Sequence, residues 1–154
     1  MPQHGLMTIA LRPARSNDFA YCRRIYFEEM SWIIEKLHLD KAVQESYFLE
    51  MWDPTQVRLI TLDGADIGWI QTINQDGALF LAQMFINRTF QRRGIGTAIM
   101  KSLIGEAARS NLPMRLNVVK INPARRLYER LGFTVIHEDE RKLYLQWDPS
   151  CRDS

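Results

Sequence analysis

A short glycine-containing segment, residues 91–97 (QRRGIGT), joins an apolar stretch to an amphipathic one and has the composition of an anion-binding loop. The first backbone N–H groups of a helix have no partner within the helix and lie at the positive end of its dipole. Glycines at such a place, here Gly94 and Gly96, let a ligand approach the backbone closely. The segment therefore predicts a phosphate site, although a tight strand-to-helix turn that binds nothing has the same pattern.

Two known phosphate-binding loops do not match this segment. A Walker loop requires a lysine directly after its last glycine, whereas Thr97 follows Gly96 here. A dinucleotide-binding loop requires a third glycine or alanine where this chain has Ile99, and it follows the strand that opens the domain. Both of these nucleotide-binding classes are therefore excluded.

The positive charge of the chain is concentrated around the same loop. Residues 87–133 carry ten Lys and Arg against two Asp and Glu, whereas residues 1–86 carry seven against eleven and residues 134–154 three against five. Proteins that bind nucleic acid are usually basic over the whole domain. The distribution favours a small phosphorylated ligand over nucleic acid, and Arg-rich solvated helix faces are the plainer alternative.

The elements that position the loop follow from the period of the apolar residues. Spacings of three and four predict helices over residues 19–37 and after Asp40, the second with Val43, Tyr47, Phe48 and Met51 on its buried face. Later helices are predicted from the loop to about Ser110, and from Asn122, followed by proline at the first helical position, to Leu131. Strands are predicted over residues 8–12, 57–62, 67–73, 78–86, 114–119, 133–137 and 142–147.

These elements predict an α/β (α+β) fold. The strand-helix-strand step over residues 78–119 must be parallel and right-handed, whereas the strands over residues 57–86 and those over residues 133–147 follow one another as hairpins. We therefore expect a mixed, mostly antiparallel central sheet flanked by helices. The length of 154 residues predicts one domain, residues 1–154, with a core of about residues 7–148.

The cysteines and the hydropathy indicate the compartment. The histidines argue against a metal site. The two cysteines, Cys22 and Cys151, form no disulfide framework, so we expect two free thiols in a cytoplasmic protein. The N-terminus lacks the apolar core of a signal peptide, and no apolar run is long enough to span a bilayer. His4, His38 and His137 are scattered, so no metal site is expected.

A second block, residues 116–133 (LNVVKINPARRLYERLGF), contains a strand, an Asn before a helix, a Tyr on that helix and a closing Gly-Phe. With the Gln-x-x-Gly-x-Gly spacing of the loop, it resembles the GNAT superfamily of acetyl-CoA-dependent N-acetyltransferases. Two ordered motifs in the expected structural context are far more specific than either alone. The resemblance implies one GNAT-like domain in which a parallel strand pair splays apart to form the acetyl-CoA cleft.

The resemblance also implies how acetyl-CoA is bound. Backbone groups of Met84, Phe85 and Ile86 would pair with the pantetheine arm, and an amide there would polarise the thioester carbonyl. Backbone amides of residues 92–97 would hold the pyrophosphate. The full implied cofactor-binding set is Met84, Phe85, Ile86, Gln91, Arg92, Arg93, Gly94, Ile95, Gly96, Thr97, Asn122 and Arg125.

The resemblance implies specific roles for several side chains of this set, and for some of them it leaves two roles open. Gln91 would hold the loop in place. Arg92, Arg93 or Arg125 would neutralise phosphate charge. Asn122 would cap its helix, contact the cofactor, or do both.

For catalysis, the resemblance implies that Tyr128 is the general acid that protonates the leaving CoA thiolate. A tyrosine of ordinary pKa is protonated at neutral pH and can donate, although a core aromatic is the alternative reading. Many family members place a Glu on the strand before the glycine loop as the base, but residues 78–86 offer only Gln83 there. Candidate bases elsewhere are Glu28, Glu29, Glu45 and His137, each of which is also explained as an exposed or structural residue; water is the other option.

The resemblance places the acceptor site on residues 26–52 and on the loop between the last two strands. The acidic N-terminal half would attract a cationic amine, and Trp32 and Trp52 would line this site or pack in the core. We expect an N-acetyltransferase acting on a primary amine of a small molecule or peptide, with no nucleic-acid or membrane partner. A non-catalytic acyl-CoA-binding module is the alternative; family members are commonly dimers, but no interface is evident in the sequence.

Overall fold

The computed structural model describes residues 8–149, so that Cys151, His4 and the first residue of the expected core, Met7, lie outside the described residues. The strands are β1 (Ile9–Pro13), β2 (Val57–Leu62), β3 (Ala65–Gln75), β4 (Ala78–Ile86), β5 (Met114–Val119), β6 (Thr134–Glu138) and β7 (Lys142–Trp147). The helices are α1 (Phe19–Lys36), α2 (Lys41–Met51), α3 (Ile95–Arg109) and α4 (Arg125–Arg130). Short 3₁₀ turns cover Ser16–Asp18 and Arg88–Phe90.

The described strands form one mixed sheet in the order β1-β2-β3-β4-β5-β7-β6. β4 and β5 are parallel, whereas β1–β2, β2–β3, β5–β7 and β6–β7 are antiparallel. The prediction of a mixed, mostly antiparallel α/β fold flanked by helices is confirmed. The parallel pair arises because α3 separates its two strands in the chain, and a crossover helix returns the chain in the same direction.

Two hairpin turns determine the positions of β2, β3 and β4. Asp63 and Gly64 have φ of 51° and 88°, and Asp76 and Gly77 have φ of 53° and 70°. Positive φ at both central residues is typical of two-residue hairpin turns whose twist matches the strands. Because each turn needs only two residues, β3 is longer at both ends than the predicted residues 67–73.

The contacts of the chain fall into two compact parts: residues 1–71 with 83–93, and residues 72–82 with 94–154. In the first part, α1 and α2 pack on the sheet around an apolar cluster formed by Cys22, Ile25, Tyr26, Phe48, Val57, Leu59 and Trp69. Trp52 packs against this cluster, as does Phe85 at the end of β4. Trp32 is 39% exposed.

The predicted buried face of α2 is confirmed at Phe48 and at Met51, which packs against the same cluster, but it is wrong at Val43 and Tyr47. Phe48 is buried, but Val43 is 58% and Tyr47 is 48% exposed. Gln44, one turn before Phe48, instead accepts a hydrogen bond from the Tyr26 hydroxyl (3.3 Å). The buried face of the helix is therefore shifted from Val43 and Tyr47 toward Gln44, because side chains on two adjacent stripes fit the same period.

In the second part, α3 and α4 pack with β5, β7 and the first half of β4. The apolar stripe of α3 is buried as predicted, at Ile95, Ile99, Met100, Leu103 and Ala107. β5 contributes Met114, Leu116 and Val118 to the same core. β6 is exposed along its whole length.

Candidate functional site

The glycine loop begins α3 with unpartnered backbone amides. Gly94 is the N-cap residue of α3, with φ of 80° and ψ of 4°, and Arg92 also has a positive φ of 64°. The first α3 amide with an acceptor among the described residues is that of Ala98, which donates to the Gly94 carbonyl (3.1 Å). The N–H groups of residues 95–97 are thus available to a ligand.

The space beside this helix start is open. A β-carbon on Gly94 would meet no heavy atom within 4 Å. Arg92 and Arg93 are exposed, and neither forms an ion pair with a described residue. The Arg93 guanidinium lies over the Phe90 ring, 5.5 Å from its centroid. The loop therefore combines free amides with two uncompensated positive charges, which is the composition that binds a phosphate-bearing group.

Gln91 connects the loop to β4 and to α1. Its side-chain Nε2 donates to the Ile86 carbonyl (2.8 Å) and to Oε1 of Glu29 (2.7 Å). Gln91 and Glu29 are 62 positions apart in the chain. This contact of Glu29 could not be read from the loop motif.

The end of β4 is held in place by its side chain and its backbone. The Phe85 ring packs against Tyr26 and Trp69, with centroid distances of 5.4 and 5.3 Å. On the backbone side, Gly68 of β3 allows the Phe85 carbonyl to approach closely. The parallel ladder joins residues 79–81 of β4 to residues 114–116 of β5, and Met84, Phe85 and Ile86 follow beyond it in the chain.

Asn122 forms a turn before α4. Its Oδ1 accepts the N–H of Ala124 (2.9 Å), which is the N-cap residue of a helix that starts at Arg125. The predicted start, with Asn122 as the cap and Pro123 as the first helical residue, is wrong by two residues, because the Asn side chain closes a local turn before the helix begins. Arg125 itself is paired with Glu129 (3.1 Å), so part of its charge is already compensated.

Tyr128 lies inside the second compact part, on α4. It is 8% exposed, and its ring centroid is 6.1 Å from that of Phe133. Burial raises the pKa of Tyr128 to about 12. Its hydroxyl has no hydrogen-bond partner among residues 8–149, so it remains protonated at neutral pH and retains its donor capacity.

Three of the four candidate bases contact an arginine or an aromatic ring. The position on β4 where a base was considered has no carboxylate. Glu28 is paired with Arg24 (3.1 Å) and Glu45 with Arg23. His137 lies on the exposed strand β6, and its ring centroid is 5.0 Å from that of Tyr144. Gln83, in place of a strand Glu, has its Nε2 3.8 Å from the Met51 sulfur. Glu29, held by Gln91, forms no ion pair with a described residue.

Other sites are scarce in the part of the chain described. No group of three or more His, Cys, Asp or Glu within residues 8–149 is arranged to hold a metal ion. No helix in that range is both long and apolar enough to cross a membrane. A hollow of about 390 Å³ is lined by Asp139, Glu140, Arg141, Lys142 and Tyr144 at the β6–β7 turn, and no predicted cofactor-binding residue contributes to it.

Comparisons with known proteins agree with this arrangement. Residues 53–135 match the sequence model of a family described as "Acetyltransferase (GNAT) domain". No curated protein matches the chain significantly by sequence. The matched residues include the glycine loop, Asn122 and Tyr128.

Solved structures share the fold at low identity. The PaiA N-acetyltransferase from Thermoplasma acidophilum, in complex with coenzyme A, superposes with a TM-score of 0.76 at 15% identity, covering 92% of this chain and 99% of that one. An acetyltransferase from Thermus thermophilus gives 0.71 at 18% identity, covering 95% and 99%. Ard1 from Thermoplasma volcanium gives 0.63 at 20% identity, covering 90% and 95%.

Proposed function

The chain belongs to the GNAT acetyltransferase family, and on that premise we propose that it transfers an acetyl group from acetyl-CoA to a primary amine of a small molecule or peptide. The amine attacks the thioester directly in a ternary complex. The observation that carries the proposal is the start of α3, where residues 95–97 present amides without acceptors among the described residues. A solved N-acetyltransferase of the same fold is in complex with coenzyme A, which supports this choice of donor.

In this proposal the pyrophosphate of acetyl-CoA lies against the amides of residues 92–97. The positive φ of Arg92 and Gly94 turns successive N–H groups toward the same side, as in other anion-binding nests. Arg92 and Arg93 add the charge, and Arg125 contributes less because Glu129 already pairs with it. The Oδ1 of Asn122 already accepts the Ala124 N–H, so Asn122 contacts the cofactor with the side-chain groups that its turn does not use.

The pantetheine arm in this proposal pairs with the backbone of residues 84–86. The carbonyl of Ile86 already accepts from Gln91, so in this proposal the arm pairs with other backbone groups of the segment, with an N–H donating to a carbonyl of the arm. A backbone N–H near the thioester carbonyl would stabilise the oxyanion that forms on attack. Phe85, held by two aromatic contacts, keeps that backbone in one position.

Tyr128 is proposed as the general acid. When the tetrahedral intermediate collapses, the C–S bond breaks and the sulfur leaves as a thiolate. A tyrosine whose pKa burial raises to about 12 holds its proton until this step and donates it, or a hydrogen bond, to the sulfur.

A second candidate function is an acyl-CoA-binding module without catalysis. The observation that favours it is Gln83, which stands on β4 where many family members have a carboxylate base. A binding module would bind acetyl-CoA and release no thiol with any amine.

Two assays distinguish the proposed functions: calorimetry with CoA, and measurement of thiol release from acetyl-CoA in the presence of amines. The amine panel contains a polyamine, a basic peptide and neutral amines. An acetyltransferase binds CoA and releases thiol in the presence of at least one amine. Absence of any CoA binding would overturn both proposals. We also expect neither DNA nor RNA to compete with CoA at low salt, in contrast to a nucleic-acid-binding protein.

A further inference from the structure

We infer that Glu29 binds the ammonium form of the acceptor and takes the proton from its nitrogen, which makes the acceptor a cationic primary amine. The inference rests on the proposed acetyl transfer and supplies the base that Gln83 on β4 cannot be. The residues that support it lie in α1, β4 and the start of the glycine loop, all within the first compact part of the chain.

The carboxylate of Glu29 lies at the end of β4. Gln91 Nε2 is 2.7 Å from Glu29 Oε1 and 2.8 Å from the Ile86 carbonyl oxygen, so the carboxylate and that carbonyl are separated by at most two hydrogen-bond lengths. One turn earlier on α1, the ring of Tyr26 contacts the ring of Phe85 at 5.4 Å. Two independent contacts therefore place this turn of α1 beside the β4 segment proposed to hold the thioester.

Glu29 interrupts the apolar stripe of α1. Residues 22, 25, 26 and 33 on that helix are buried and apolar, and position 29 follows Tyr26 by three residues and precedes Ile33 by four. Such spacings lie on one helix face, so an apolar residue is expected where this carboxylate stands. Glu29 is partly exposed, and among the described residues its carboxylate has only the neutral amide of Gln91 as a partner.

The neighbouring acids do not share this situation. Glu28 and Glu45 are paired with Arg24 and Arg23. An arginine pair compensates a carboxylate and reduces its attraction for another cation. Glu29 has no such pair among the described residues, so its carboxylate is the best placed of the three to attract an ammonium group at close range.

With Glu29 as the base and Tyr128 as the acid, each proton transfer in the reaction has a named donor and acceptor. The ammonium nitrogen transfers one proton to the Glu29 carboxylate, and the neutral amine forms the new C–N bond to the acetyl carbon. The C–S bond breaks, and the thiolate takes a proton from Tyr128. Glu29 later loses its proton to solvent, which its partial exposure permits, and Tyr128 regains one.

The test compares Glu29→Gln, Glu29→Ala and the control Asp76→Asn, which removes one exposed carboxylate in the β3–β4 turn at a positive φ that asparagine also adopts. A glutamine at position 29 keeps an oxygen that accepts from Gln91 but has neither charge nor basicity. The acceptors are spermidine, which is cationic at neutral pH, and a hydrazide, whose nitrogen is already neutral there. CoA binding is measured by calorimetry in every variant.

We expect Glu29→Gln to lower kcat/KM for spermidine by roughly 10²-fold or more, to change the hydrazide reaction only a few-fold and to leave CoA affinity unchanged. Asp76→Asn should match the unmodified protein with both acceptors. If Glu29→Gln is fully active and only Glu29→Ala is impaired, Glu29 merely holds Gln91 and the inference is wrong. Equal losses with both acceptors, or an unmodified protein that acetylates neutral amines alone, would also overturn it, whereas failure to bind CoA would overturn the proposed function itself.

Discussion

A β-carbon on Gly68 would stand 2.2 Å from the carbonyl oxygen of Phe85. β3 and β4 therefore approach each other at this point more closely than any residue with a side chain allows. Nearby, the Asn87 N–H donates to the Ile67 carbonyl (2.7 Å). These backbone contacts determine where residues 85 and 86 lie, and those residues belong to the segment proposed to bind the pantetheine arm.

Replacing Gly68 with alanine should displace this part of β4, because the opposing atom belongs to the backbone and cannot rotate away. We expect the free energy of unfolding to fall by about 1–3 kcal/mol and CoA affinity to fall with it. Gly105→Ala is the control, since its β-carbon would meet only the end of the Arg109 side chain, at 3.3 Å; it should be neutral or stabilising. Denaturant unfolding and calorimetry measure both effects, and unchanged CoA binding by Gly68→Ala would contradict the proposed pantetheine contact.

Gly94→Ala should abolish or strongly weaken CoA binding. Its φ of 80° costs an alanine about 1–2 kcal/mol, and the added methyl group occupies the side from which the phosphate approaches. Gly77→Ala is a matched control in the β3–β4 turn, where φ is 70° and a β-carbon likewise meets nothing within 4 Å. Both variants should lose similar stability in denaturant titrations. Similar CoA affinities in the two would argue that the loop is only a turn.

Tyr128→Phe should slow turnover by roughly 10²-fold while CoA affinity stays nearly intact. The free energy of unfolding should change by less than about 0.5 kcal/mol, because the hydroxyl bonds no described residue. Since burial raises this pKa to about 12, loss of the Tyr128 proton should not reduce the rate until the pH approaches that value. Tyr21→Phe removes a buried hydroxyl that has no partner among the described residues and should leave thiol release unchanged. If Tyr128→Phe turned over as fast as the unmodified protein, Tyr128 would not be the acid.

Asp18→Asn should destabilise the protein at neutral pH by about 1 kcal/mol. Arg12 donates to both oxygens of Asp18, at 3.0 Å each, and also bonds Asp66. The hydrogen bond from Arg12 lowers the pKa of Asp18 below its ordinary value of 3.8. A lowered carboxyl pKa stabilises the fold above the ordinary value, and this stabilisation disappears as the pH falls through the lowered pKa.

The difference between Asp18→Asn and the unmodified protein should therefore vanish in strong acid. Urea unfolding at neutral and acidic pH measures it. Glu28→Gln, which removes an exposed pair with Arg24, should cost less than about 0.5 kcal/mol at either pH. A difference for Asp18→Asn that persisted in acid would assign its effect to something other than ionisation.

Strand limits were predictable where local turn residues determine them. β2, β4, β5 and β7 have the predicted bounds, because Asp-Gly pairs, Pro113 and the charged turn after β6 interrupt the pattern at their ends. The start of α4 and the buried face of α2 were not predictable. In α4 the Asn122 side chain forms a turn of its own, and in α2 two adjacent stripes compete for the core.

The family, the parallel pairing of β4 with β5 and a loop whose amides are free all follow from the amino-acid sequence alone. The loop and the turns depend on neighbouring residues, and the parallel pairing follows from the order of the elements, because a crossover helix separates the two strands. The contact of Glu29 with Gln91 and the closeness of Gly68 to the Phe85 carbonyl became known from the folded chain. Glu29 and Gln91 are 62 positions apart, and their contact depends on the rotation of α1, which no local pattern specifies. The two-residue turn places Gly68 opposite Phe85, but the distance between the two backbones depends on how the folded sheet packs.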